Sequence, residues 1–560
     1  MRSESTPGRS PAFVGYRDWF IQHGLQVGTV LLAVFVALPL LVVFSGWLAP
    51  ENEVWAHLAE TVLSDLIRNT FVLLAGVAIG VLILGVSLAW LTSMCEFPGR
   101  RFFDWALMLP LAIPAYVLAF VALGILDYTG PVQSFLRATL GADAPHFPET
   151  RSAGGVIGVM VLVLYPYVYM LSRAAFLTQG RAALEAARIL GQSPWGAFYR
   201  VVLPMARPAI VAGTSLALME ALADFGTVAV FNYDTFTTAI YKAWFGLFNI
   251  QAASQLASLL LLFVALALFG ERRLRGKARY HEVARTARPH RYVLVGWKAW
   301  GGTLLASLIF LLAFLIPVVQ LLAWSWQVVA TDLDGRYLNL LLHTLSLGGM
   351  AALCTVLAAL VIAFARRIHS DRTTNFAAGI ATLGYALPGS VLAVGIMLAN
   401  TGIDNFFNSI WSFFGGVAPG QVIGGSALAL VMAYVVRFLA VAVGPLESGL
   451  GRIKPSISEA ARSLGANSRA IFRRVYLPLL RPGLLTAILL VLVDVMKEMP
   501  ATLLLRPFGW DTLAVRIYEM TSEGEWERAA LPAITLVLVG LLPVMILVRR
   551  SARRPDNTAD

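Results

Sequence analysis

Four carboxylates stand inside otherwise apolar runs: Glu220 and Asp224, then Asp494 and Glu498. A charge at the centre of a bilayer costs about 2.5–3.5 kcal/mol on insertion scales, so such residues read first as functional. Each pair has i, i+4 spacing, which places both acids on one face of a helix. Glu220 lies about 18 Å beyond Pro208 at about 1.5 Å per residue, close to the midplane, and Asp224 is one turn further out. The two acidic pairs, on equivalent helices, would line one shared axial path, and carboxylate oxygens suit a hard cation. They disfavour sulfate, phosphate or molybdate, which call for basic or helix-N-terminal donors. Tyr165, Tyr167 and Tyr169 add phenol oxygens to the same outer half, or belong to an aromatic belt at the interface. A competing reading is a structural ion network. Lys497 is three residues from Asp494 and adjacent to Glu498, and Arg437 lies in another apolar run. Four acids against two bases still leave negative charge over. No set of metal ligands is assigned.

The elements that position these residues follow from composition. Of 560 residues, 58% are hydrophobic and 13% charged, with mean hydropathy +0.73, which is membrane-embedded chemistry. The net charge of +11 need not mean nucleic acid, because cytoplasmic loops collect Lys and Arg. Cys95 and Cys354 fall at or inside apolar segments and make neither a disulfide framework nor a zinc site. A hydrocarbon core about 30 Å thick needs roughly 20 apolar residues per helix. Such runs occur near 25–48, 70–93, 105–126, 153–172, 208–231 and 252–270, and again near 302–324, 344–365, 377–399, 421–443, 482–505 and 529–548. The run near Leu25 ends without a small-residue cleavage site, so it reads as a retained span. Gly76 with Gly80 and Gly154 with Gly158 read as helix-packing positions. No GxxxxGK[ST], HExxH or GxSxG occurs, so the chain holds neither a phosphate loop nor a recognisable catalytic constellation.

The second six runs repeat the first at an offset of 274. Residues 185–208 read EAARILGQSPWGAFYRVVLPMARP and 459–482 read EAARSLGANSRAIFRRVYLPLLRP, identical at 13 of 24 positions. The register extends to Asn69-Thr70 with His343-Thr344, to Pro114 with Pro388 and, after an insertion of about three residues, to Asp234-Thr235 with Asp511-Thr512. A repeat over most of the chain means two fused six-span units, related by an axis along the membrane normal. The expected organisation is a cytoplasmic tail over 1–24, a first repeat over 25–270, a basic cytoplasmic linker over 271–300, a second repeat over 301–550 and a tail over 551–560. The linker, with Arg272, Arg273, Arg275, Lys277 and Arg279, reads as a solvated topology determinant or a contact for anionic headgroups. Placing the amino terminus and every second loop in the cytoplasm gathers about three-quarters of the 43 Lys and Arg there, which fixes orientation. Both termini and both repeated stretches are then cytoplasmic. Within each stretch the Ala-rich start favours helix and Gly191 can stop it in the left-handed conformation. Ser193-Pro194 suits an N-cap and first turn, and Pro204 and Pro208 are expected to interrupt the chain before the next span.

The repeated stretch resembles the coupling motif of the membrane subunits of binding-protein-dependent ABC importers: EAA, three residues, Gly, nine residues, Ile, one residue, Leu-Pro. The first copy supplies Glu185, Ala186, Ala187, Gly191, Leu203 and Pro204; the second supplies Glu459, Ala460, Ala461, Gly465, Leu477 and Pro478. Val201 and Val475 stand at the Ile position, a mild departure. The resemblance implies an all-α membrane protein of about 12 transmembrane helices in two homologous six-helix (MetI-like) permease repeats. It also implies two ATP-binding subunits, a homodimer, docked at these twelve residues from the cytoplasm. ATP and Mg would be held by that partner and no cofactor by this chain, which would be a transport subunit and not an enzyme. The stretches around the acids, LMEALADFGTVAVFNYDTFTTAIYKAWFG and LVDVMKEMPATLLLRPFGWDTLAVRIYE, are similar to those of fused ferric iron permeases. That likeness implies a periplasmic solute-binding protein as donor, ferric iron as cargo and the bacterial inner membrane as location. Thiamine or a polyamine is the alternative within the class. An ion-coupled secondary transporter is the alternative outside it, with the four acids as relays; a membrane enzyme is a weaker third.

Overall fold

A computed structural model describes residues 16–48, 52–141, 148–275, 291–369, 371–417 and 419–552. The core of the expected linker, 276–290, and the ends of both tails lie outside the described residues. Among the described residues twelve helices are long and apolar enough to cross a membrane, from His23–Trp47 to Trp526–Ile546, each overlapping one of the twelve expected runs. They are numbered as spans in chain order.

The chain forms two compact units. One holds Met1–Leu40, Gly348–Tyr385 and Val431–Val495; the other holds Leu41–Leu347, Ala386–Leu430 and Met496–Asp560. Each unit draws on both repeats. In the smaller unit the first span (His23–Trp47) lies on the eighth (Gly335–Ile368). A Cβ on Gly28 would sit 3.0 Å from Val361, and Gln26 donates to the Asp371 carboxylate at 3.3 Å. In the larger unit the seventh span (Trp297–Asp332) reciprocates on first-repeat residues. Thr303 donates to the Pro98 carbonyl at 2.9 Å, Phe310 meets Phe102 edge-on at 5.4 Å, and Trp324 stacks on Phe120 at 6.3 Å. The first span of each half is therefore packed on the other half. A two-residue parallel pairing of Cys95–Glu96 with Tyr292–Val293 fixes the end of the linker beside the second span.

Small residues set the closest helix approach. A Cβ on Gly76 would meet Ile157 at 2.5 Å, and Gly80 faces Val161 just as tightly, so this GxxxG seats the second span on the fourth. The other pair does not behave as expected: nothing lies within 4 Å of a Cβ built on Gly158.

The third and ninth spans are not the continuous helices that 105–126 and 377–399 suggested. The third consists of Arg100–Ala106, a tight turn at Leu109–Ala112 and Ala115–Leu126. The ninth consists of Arg372–Ala381, a turn at Leu383–Ala386 and Gly389–Phe413. Pro114 and Pro388 stand immediately before the resumed helices with extended ψ of 144° and 138°. Proline cannot donate to the preceding turn, so hydropathy stays high while the helix stops. Broken backbone at membrane depth must be satisfied by protein. Tyr165 donates to the Leu107 carbonyl at 2.9 Å, Tyr169 to that of Asp104 at 3.0 Å and Lys497 to that of Leu111 at 3.2 Å. Tyr165 and Tyr169 are fully buried, which overturns their reading as belt residues or as part of a wet path.

Candidate functional site

The two repeated stretches share one backbone construction. In each, the EAA residues are helical and the following glycine is left-handed, with φ +81° at both Gly191 and Gly465. The Gln192 and Ala466 amides then bond back to the Ala187 and Ala461 carbonyls at 3.0 Å. In the second copy Gly465 also donates to Arg462 at 2.9 Å, completing a Schellman cap. This explains the spacing. The third residue of EAA is the one whose carbonyl receives the closing bond, four positions before the glycine. A second helix opens at once, its N-terminus capped by Ser193 (Gly196 amide, 3.1 Å) in one copy and Asn467 (Ala470 amide, 2.9 Å) in the other. Beside each cap stands a strongly exposed leucine, Leu190 at 80% and Leu464 at 89%, with Ile189 at 86% in the first copy. Glu459 and Ala460 are exposed as well, whereas Ala187 is buried. Apolar side chains this open stand out as an exposed knob beside the capped turn.

Contrary to expectation, Pro204 and Pro208 do not interrupt the chain before the fifth span; both lie within its helix. From Pro194 the first copy runs through a wide turn at Phe198–Val202 into the fifth-span helix Leu203–Ala223. The second does the same through Phe472–Tyr476 into Leu477–Lys497. Leu203 bonds to Phe198 and Leu477 to Phe472, five residues back instead of four. A π-type turn absorbs the bond that Pro204 or Pro478 cannot make. Pro317 of the seventh span is preceded by the same device at Leu311–Leu315. Leu203, Pro204, Leu477 and Pro478 are thus the first residues of the membrane-entering helices, joined rigidly to the capped turn.

The four acids separate into two kinds. Glu220 and Asp494 lie within their span helices and are half-buried. Asp224 and Glu498 do not continue those helices, so 208–231 and 482–505 are not unbroken spans. Helix ends at Ala223 and Lys497 and resumes as the short helices Gly226–Val230 and Pro500–Leu505. The Asp224 carboxylate accepts from the Thr227 amide at 2.8 Å and its hydroxyl at 3.1 Å. That of Glu498 accepts from the Ala501 amide at 3.1 Å, the Thr502 amide at 3.0 Å and the Thr502 hydroxyl at 2.9 Å. Among the described residues no three His, Cys, Asp or Glu are grouped to hold a metal ion.

Comparison with known proteins gives the family of the chain. Residues 81–275 and 355–557 each match the family described as binding-protein-dependent transport system inner membrane component. The chain belongs to that family. An Fe(3+)-transport system permease protein, FbpB 2, of Haemophilus influenzae is 30% identical over 532 residues, covering 92% of this chain and 97% of its own. A ferric transport system permease protein, FbpB, of Actinobacillus pleuropneumoniae is 25% identical over 93% of this chain and 77% of its own. A putative 2-aminoethylphosphonate transport system permease protein, PhnV, of Salmonella typhimurium is 30% identical over 93% of its length but only 44% of this chain. One such half-length relative is the size of one repeat, which agrees with the internal duplication.

Several of the permease's structural residues were not found by sequence reasoning. The segments after the fifth and eleventh spans interlock within the larger unit. A Cβ on Gly226 would lie 2.6 Å from Met499 and from Tyr116. Phe225 and Tyr241 pack on Tyr518 at 5.3 and 6.5 Å. The repeat-paired residues at the start of the second and eighth spans also serve these segments: Asn69 donates to the Asp234 carbonyl at 3.0 Å, and the Leu513 amide donates to Thr344 at 2.9 Å. The clue available in advance was that both sets fell in register across the repeat.

Proposed function

We propose that this permease passes ferric iron into the cytoplasm, receiving it from a periplasmic binding protein and driven by two copies of a separate ATPase. The observation that carries the reading is the near end-to-end match to the Fe(3+)-transport permease of Haemophilus influenzae. It is supported by intramembrane acids, which suit a hard cation and oppose a phosphonate. The capped turns at Gly191 and Gly465, with their exposed leucines, are the ATPase handles; Glu185 and Glu459 with Ala186, Ala187, Ala460 and Ala461 form the helices behind them. Glu220 and Asp494 supply negative charge along the path. Both termini and both handles face the cytoplasm, on the distribution of Lys and Arg. ATP and Mg reside in the partner, whose closure rocks the two halves.

The test is uptake by proteoliposomes holding the permease, its ATPase and its binding protein. Iron loaded on the binding protein should enter only with internal-side ATP, and thiamine, a polyamine or 2-aminoethylphosphonate should neither enter nor compete. Transport by the permease alone, driven by an ion gradient, would replace this reading with a secondary transporter.

A further inference from the structure

The four intramembrane acids are equivalent in the repeat but not in what they touch. Asp224 and Glu498 follow the last residue of a span helix in both halves, and in both the carboxylate turns onto the amides and a threonine hydroxyl of the next short helix. The side chains differ by one methylene, yet both address the third and fourth residues on: Asp224 the Thr227 amide, with the Val228 amide beside it, and Glu498 the Ala501 and Thr502 amides. The Asp224 carbonyl is also used, accepting from Thr237 at 2.8 Å. Thr237 in turn meets Thr235 at 3.0 Å, and Thr235 caps the helix Phe236–Tyr241. One network thus ties the span end, the short helix and the helix after it.

We propose that Asp224 and Glu498 are positioning residues, each holding in place the turn that comes after its span, and that neither takes the cargo. What they position is the interlocked contact of Gly226 with Met499 and Tyr116. The inference rests on the ferric reading for its transport readout but not for its structural one. The discriminating chemistry is that an amide can replace a capping carboxylate. In Asp224→Asn the oxygen still accepts from the Thr227 amide, and the NH2 can donate to the Thr227 hydroxyl. Asn and Asp are comparable caps, whereas Ala is poor. Glu498→Gln keeps only part of its set, because one of its two backbone amide donors would face the NH2.

The experiment measures radioactive iron uptake in the full reconstituted transporter together with the melting temperature of the purified permease. D224N should match the wild type within about twofold, D224A should lose uptake by about tenfold or more and melt lower, and E498Q should fall between the wild type and E498A. E220Q and D494N, which remove charge from the helix interiors, serve as the contrast and should lose uptake without the same melting pattern. If D224N loses as much uptake as D224A while melting like the wild type, the charge itself acts on the cargo and the proposal is overturned. If wild-type permease moves no iron but the melting order holds, the iron reading fails and the positioning role stands.

Discussion

The two repeated stretches end in the same turn but are delivered to it differently. In the first, the helix runs without interruption from the membrane, Ala153–Ile189, so the turn at Gly191 is the tip of a 37-residue rod. In the second, the tenth-span helix stops at Gly451 and a separate nine-residue helix, Pro455–Ser463, carries the EAA residues. Pro455 occupies the place of Arg181, and proline both starts a helix well and forces the preceding residue out of helical conformation. The break frees carbonyls, and Arg367 of the eighth span collects two of them, Leu450 at 3.2 Å and Ile453 more closely. Ser458 and Tyr476 add a hydroxyl pair at 2.8 Å between the short helix and the wide turn below it. The cap geometry is thus what the sequence repeat preserves, while the connection to the membrane has diverged. The first stretch is the tip of one continuous helix, and the second is a separate short helix held by side chains.

The largest effect should come from the caps themselves. A β-branched side chain at φ +81° costs about 1–3 kcal/mol of backbone strain and displaces the turn that presents Leu190 and Leu464. Gly191→Val with Gly465→Val should reduce receptor-stimulated ATP hydrolysis in the reconstituted complex to its basal level. The single variants sharpen the comparison. G465V should be the more damaging, because a nine-residue helix severed from its span has only its cap and a few side-chain bonds to hold it, whereas the longer helix reaches Gly191 already formed. Equal loss in the two singles would mean that the hinge has no mechanical consequence. Next in size is Arg181→Pro, which imports the break into the first copy. A proline in a helix interior costs about 3 kcal/mol, and the first copy has Ser93 where the second has Arg367, so nothing collects the freed carbonyls. Faster amide exchange should then spread over residues 178–191.

Arg367→Met should come next, at about 2–3 kcal/mol for hydrogen bonds from a charged donor. Its exchange signature should be confined to residues 448–465, leaving 178–191 unchanged. If instead both stretches loosened, Arg367 would be stabilising the bundle in general and not the hinge.

Much of this was legible beforehand. Hydropathy and length located twelve spans because the bilayer fixes both, and the repeat identified the two capped turns because Gly191 and Gly465 are required by backbone conformation. What could not be read was where apolar runs stop being helical. The third span breaks before Pro114, yet Pro204, Pro317 and Pro478 are carried through by wide turns. A residue window cannot distinguish the two outcomes, since the difference lies in which group satisfies the released carbonyl. The same limit hid the roles of Tyr165, Tyr169 and Lys497, whose partners are backbone atoms far away in sequence. Asp224 and Asp494 looked alike by type and lay one turn apart in depth; only the positions of the helix ends separated their roles.

The smallest effect concerns a further difference between the halves. Helix Arg372–Ala381 has Asp371 at its N-cap, accepting from the Thr374 amide at 3.1 Å and hydroxyl at 2.7 Å. The corresponding helix of the first half, Arg100–Ala106, starts at Gly99 with φ +80° and no side-chain cap. The Thr374 hydroxyl, and then its amide, hold the Asp371 carboxyl below the usual carboxylate range. A depressed folded-state pKa contributes stability that is complete above the unfolded value, about 3.9, and is lost as pH falls through the folded one. The Asp371 carboxyl should therefore contribute no change between pH 8 and 5, and its acid step in the exchange of 371–381 should come only below about pH 4, with 100–106 showing no matching step. Asp371→Asn should behave like the wild type at pH 7, since Asn caps as well as Asp, and should abolish the acid step. A step that survived in D371N would have to be assigned to another group.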